Sequence, residues 1–71
     1  MGEYREGLIE DIDELASKIG DFKSQLDALS TIAYLTGKNT GKVAENLRKA
    51  SAEAAKANTA IAKTKYETLT A

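Results

Sequence analysis

The chain has 71 residues, 42% of them hydrophobic, no Cys, His, Pro or Trp, and a formal net charge of −1. That length bounds it to one domain, and small domains draw extra stability from disulfides, metals or oligomerisation. Without Cys there are no disulfides or thiolate metal sites; without His the commonest metal ligand and the usual general base near neutral pH are missing, so oligomerisation and helix packing remain.

The first half is an amphipathic repeat. Leu8, Ile12, Leu15, Ile19, Phe22, Leu26, Leu29 and Ala33 recur at alternating steps of four and three. Side chains spaced this way line one edge of a helix, and the repeat of seven fits coiled-coil packing. The pattern predicts a helix over about 3–36. Gly7 marks a start that frays or comes late. Gly20 costs about 1 kcal/mol relative to Ala inside a helix; it marks either a kink, with Asp21 capping a new segment, or a close contact between helices. Ile9, Ala16 and Ile32 lie beside the main edge and widen the apolar strip.

The strongest break is Thr36-Gly37-Lys38-Asn39-Thr40-Gly41. Gly37 suits the left-handed conformation that ends a helix, and Asn39 or Thr40 suits the cap of the next one. A second helix is predicted over about 41–70. Its edge repeats the first with smaller side chains: Val43, Leu47, Ala50, Ala54, Ala57, Ile61, Thr64 and Thr68. Two long helices joined by a short loop make an antiparallel hairpin. The expected fold is therefore all-α, a two-helix hairpin with large residues of the first helix against small ones of the second. The strip on the first helix is wider than one Ala-rich partner can cover, so the hairpin is expected to self-associate into a helical bundle. Leu8, Ile12, Leu15, Ile19, Phe22, Leu26, Leu29, Ile32, Leu47 and Ile61 are its expected packing seam.

Charge is segregated. Residues 1–36 hold eight acids against three bases, a net of −5, while residues 37–71 hold seven bases against three acids, a net of +4. Antiparallel pairing lays the acidic start of the first helix beside Lys63 and Lys65. Each exposed pair contributes only about 0–1 kcal/mol, but the whole pattern favours this pairing over alternatives.

Motifs with chemistry are few. Gly37-Lys38-Asn39-Thr40-Gly41-Lys42-Val43 superficially resembles a phosphate-binding loop. Three residues separate its glycines rather than four, and Val43 stands where the magnesium-binding hydroxyl belongs, so it reads as a helix-joining turn. Glu10, Asp11, Asp13 and Glu14 are spread around a helix near its positive N-terminus and read as a solvated face, not a metal or acid–base site. Lys42, Lys49, Lys56 and Lys63 recur every seven residues, but the interspersed acids and the lack of a recognition motif argue against nucleic acid as a partner. No nucleophile–base pair is visible, so the chain is expected to be non-enzymatic and to carry no cofactor or metal. Tyr4 and Tyr66 fall at the open end of the hairpin beside Arg5 and Lys65. These four residues either cap the packing or hold a nucleotide by stacking and charge. No apolar run reaches the roughly 20 residues of a membrane span, and no secretory leader is visible. The expected setting is cytoplasmic.

Two resemblances follow from these residues. The opening Glu3-Tyr4-Arg5-Glu6, with Asp11-Ile12-Asp13 and Leu15, is similar to the start of phage hairpin proteins that sequester cyclic-nucleotide immune signals between subunits. The similarity covers about a dozen residues, with Gly7 where that family has Leu. It implies an oligomer, a nucleotide ligand and a role for Tyr4 and Arg5, in the cytoplasm of an infected host. The two-helix architecture also resembles the small hairpins of type VII secretion, which implies a second helical protein as partner. There Tyr34-Leu35-Thr36-Gly37 stands in place of a Trp-x-Gly turn, and the C-terminal Tyr-x-x-x-acid signal is missing.

Overall fold

A computed structural model describes residues 2–37 and 41–71. Two helices account for nearly all of them: α1 (Gly2–Thr36) and α2 (Lys42–Thr70). They lie antiparallel along one another in a rod 54 Å long and 14 by 9 Å across. The 3.6-residue periodicity and the absence of Pro sustain helices of this length, and long helices hold their shape chiefly by packing an amphipathic face.

Gly37 ends α1 with φ +62°, the left-handed conformation expected for it. Gly41 is also left-handed, at φ +83°, and it is the cap residue of α2. Its carbonyl accepts the first helical hydrogen bond from the Glu45 amide at 2.9 Å. The expected caps Asn39 and Thr40 lie outside the described residues, as does the centre of the glycine-flanked turn.

α1 runs through Gly20 without a break. A Cβ built there would lie 3.8 Å from the Asn58 Nδ2 of α2. Gly20 is thus a point of contact between the helices, not a kink.

The seam between the helices lies one residue further round each helix than the hydrophobic pattern predicts. On α1 the inward rows are Ile9, Ala16, Lys23 and Ser30, with Ile12, Ile19, Leu26 and Ala33. On α2 they are Ala44, Ser51, Asn58 and Lys65, with Leu47, Ala54, Ile61 and Thr68. Ile12, Ile19, Leu26, Leu47 and Ile61 therefore face the partner helix. Leu8, Leu15, Phe22, Leu29 and Ile32 do not; all five are exposed. The observed rotation admits polar contacts that the alternative would lack. Ser51 Oγ donates to Asp27 Oδ1 at 2.5 Å, and Asn58 Nδ2 donates to the Ala16 carbonyl at 3.3 Å. Asn58 Oδ1 is buried without a partner in the hairpin. Of the described apolar side chains only Leu26 and Ala44 are buried, accompanied by Ser30 and Ser51. That is a thin core for a stable unit.

Candidate functional site

The two flanks of the seam differ. One flank is polar. Lys65 Nζ meets Asp13 Oδ1 at 2.8 Å, Lys23 Nζ meets Asp27 Oδ2 at 2.9 Å, and the Arg48 guanidinium stands 5.6 Å from the centre of the Tyr34 ring. The Ser51 hydroxyl, and after it the Lys23 ammonium, hold the Asp27 carboxyl below its ordinary range, because both stabilise the carboxylate form.

The other flank is apolar. Leu15, Phe22 and Leu29 are 50%, 56% and 51% exposed, and Leu8 is 36% exposed. These four recur every seven residues and so form a straight row beside the inward row of Ile12, Ile19 and Leu26. Val43, Ala50, Ala57 and Thr64 form the matching row on α2, and all four are exposed. Leu8 and Thr64 line one groove, which places both rows on the same side of the hairpin. The row positions come from helical spacing alone: large side chains on α1, small ones on α2.

At the open end this flank widens into a groove of about 490 Å³. Tyr4, Arg5 and Leu8 line it from α1, and Thr64, Glu67 and Thr68 from α2, with Ala71 beyond them. Much of its hydrogen-bonding capacity is already used. Arg5 Nη2 donates to the Ala71 carbonyl at 3.0 Å, and the Thr64 and Thr68 hydroxyls donate to the carbonyls of Ala60 and Thr64 at 3.0 and 2.9 Å. The groove presents one cation, Arg5, and one carboxylate, Glu67, which leans toward Lys63 at 4.0 Å. Of the four residues expected to gather here, Tyr4 and Arg5 do. Lys65 is engaged by Asp13 on the polar flank, and Tyr66 is exposed away from the groove lining.

Among the described residues no three carboxylates come together in a way that could hold a metal ion. The acidic stretch near the start of α1 is drawn apart by pairing, Asp13 to Lys65 across the seam and Glu14 to Lys18 along the helix at 3.2 Å. No described helix is long and apolar enough to cross a membrane. The polar contacts of Asp27, Ser51 and Asn58 are not singled out by the hydrophobic pattern. Their signal is the sevenfold recurrence of small and polar residues immediately after the apolar row: Ala16, Lys23 and Ser30 on α1, Ala44, Ser51 and Asn58 on α2.

Comparison of the chain with protein-family models, curated proteins and solved structures finds no match.

Proposed function

We propose that this protein is a non-enzymatic assembly module that works as a homo-oligomer, the apolar flank of the hairpin being its interface. The observation that carries this reading is the row Leu8, Leu15, Phe22 and Leu29, exposed at coiled-coil spacing on a chain whose own core is thin. Large exposed apolar patches mark interaction sites, and a wet row of this kind is an incomplete helix-packing surface. Sedimentation velocity at micromolar concentration tests it. A clean multiple of the 7.6 kDa chain is expected, and stable monomers overturn the reading. A second, longer helical protein held in fixed ratio by the native material would replace it with an escort role.

Tyr4 and Arg5, side by side in the terminal groove, favour a second reading. In it the oligomer sequesters a cyclic nucleotide at that end, with the ring stacking and the guanidinium meeting phosphate. The Glu67 carboxylate in the same groove opposes an anionic ligand, which is why assembly is preferred. Calorimetric titration with cyclic dinucleotides separates the two. A sequestering protein loses binding but keeps its assembly on Tyr4→Ala or Arg5→Ala; an assembly module releases no binding heat in the first place.

A further inference from the structure

The hairpin exposes 5453 Å². Monomeric proteins of its mass expose about 4,300 Å² by the scaling of surface with mass. The excess, about 1,150 Å², is more than the roughly 800 Å² that each partner contributes to an interface of standard size. A second copy of this chain, covering the apolar flank along its length, accounts for an area of that order.

Two hairpins can stack flank to flank with two-fold symmetry in two ways. An axis across the helices lays α1 of one copy over α1 of the other. An axis along the helices lays α1 of each copy over α2 of the other. In both cases the facing helices run antiparallel. Two observations separate the arrangements. The first is charge: residues 1–36 carry a net −5 and residues 37–71 a net +4. Facing α1 helices would set two acidic elements against each other, whereas α1 over α2 sets opposite signs together. The second is size. The α1 row of Leu8, Leu15, Phe22 and Leu29 has the same spacing of seven as the α2 row of Val43, Ala50, Ala57 and Thr64. Large residues facing small ones interlock as knobs in holes. Facing α1 rows would crowd Leu and Phe together and set Ala50 and Ala57 against the equally small row of the other α2, leaving gaps.

Resting on the self-association reading above, we propose that α1 of each copy is covered by α2 of a second copy. The result is a four-helix bundle with its two-fold axis along the helices. An axis in that direction keeps equal heights together, so the helix register within one hairpin carries over between copies. Asp13 beside Lys65 and Asp27 beside Ser51 set that register, so Phe22 lies opposite Ala57 of the second copy, and Leu15 opposite its Thr64. Every neighbouring pair of helices in the bundle is antiparallel, as in up-down-up-down bundles.

The test uses the unmodified chain. One half of the sample is labelled with ¹³C and ¹⁵N, mixed with unlabelled protein through a denaturation–refolding cycle, and examined by isotope-filtered NMR. Only contacts between copies survive the filter. Cross-peaks from the Phe22 ring to the methyl group of Ala57 are expected. Cross-peaks from Phe22 to Leu15 in their place would establish the arrangement with α1 over α1 and overturn this proposal, while leaving self-association intact. A monomer by sedimentation overturns both. Cysteine pairing gives a second readout in a chain that has no native Cys. Leu15→Cys chains mixed with Thr64→Cys chains should cross-link as the majority product on mild oxidation. Leu15→Cys mixed with Phe22→Cys should give at least tenfold less, and the reverse ratio counts against the bundle.

Discussion

The seam inside the hairpin and the apolar flank beside it are adjacent strips of the same two helices, yet their chemistry is inverted. The seam buries Leu26 and Ala44 together with Ser30 and Ser51, and holds Lys23, Asn58 and Lys65 half-buried. The flank leaves Leu15, Phe22 and Leu29 in the open. A unit that stood alone would gain by exchanging them, because fully burying a Leu or Phe contributes about 1.5–3 kcal/mol and a half-exposed one gives up much of that. The division of labour follows. Polar contacts at Asp27, Ser51 and Asn58 hold α1 and α2 in this rotation about each other, and the larger apolar side chains are left exposed on the flank, where another helix covers them in the proposed assembly. Polar groups at seam positions commonly cost stability while specifying register.

The largest expected effect comes from breaking the flank. Phe22→Asp should raise the dissociation constant of the proposed assembly at least about 100-fold, since a two-fold dimer of the proposed kind loses two apolar side chains from its interface. Sedimentation velocity over a concentration series reads this directly. Tyr4→Ala, at the end of the groove, should leave the association within about threefold of the parent. If Phe22→Asp associates as the parent does, the flank is not the interface. Next comes the seam. Leu26 is 7% exposed, and Leu26→Ala should destabilise the fold by about 2–3 kcal/mol in urea, from lost burial and the cavity left behind. A loss under about 1 kcal/mol would mean that the hairpin contributes little to the stability of the assembly.

The connection is less sensitive. Gly37 and Gly41 both have positive φ, where a side chain costs about 1–2 kcal/mol. Gly37→Ala and Gly41→Ala should each lower the unfolding free energy by about that much. An unchanged urea midpoint would show that the turn relaxes without cost. Gly20→Ala should move the other way. The contact at 3.8 Å to Asn58 Nδ2 is ordinary van der Waals distance, so Ala fits, and the gain in helix propensity should stabilise by about 0.5–1 kcal/mol. A loss instead would show that Asn58 needs the glycine.

The sequence makes the hairpin legible because its signals agree: two long stretches of helical period, no Pro, and glycines at the break, with Gly37 left-handed as expected. The rotation of the helices is not legible from hydrophobicity. The row of Ile12, Ile19, Leu26 and Ala33 combines at steps of three and four with the row of Leu8 on one side and with the row of Ile9 on the other. The sequence therefore contains two overlapping seams, and apolar content points to the one with Leu8. What selects the other is pairing between distant polar residues, Ser51 with Asp27 and Asn58 with Ala16, which no local pattern reports. The terminal groove is half legible for a related reason. Lys65 and Tyr66 are neighbours in sequence, but successive residues point about 100° apart around a helix. Lys65 turns to Asp13 while Tyr66 stays in solvent.

The finest test concerns the contact that sets this rotation. The Ser51 hydroxyl is the leading cause, ahead of Lys23, that holds the Asp27 pKa below its ordinary value of 3.8. A depressed carboxyl pKa stabilises the fold fully above the unfolded value and loses that contribution as the pH falls through the lower folded one. Ser51→Ala returns Asp27 toward its ordinary pKa. Parent and variant should therefore differ most in unfolding free energy at pH 5–7, and their curves should converge as the pH is lowered below 4. Subtracting the two curves removes the other carboxylates, which titrate over the same range in both proteins. A gap that stays constant from pH 6 down to pH 2.5 would show that Ser51 acts through packing alone. The charge-assisted bond to Asp27 would then not be what holds α1 and α2 in their observed rotation.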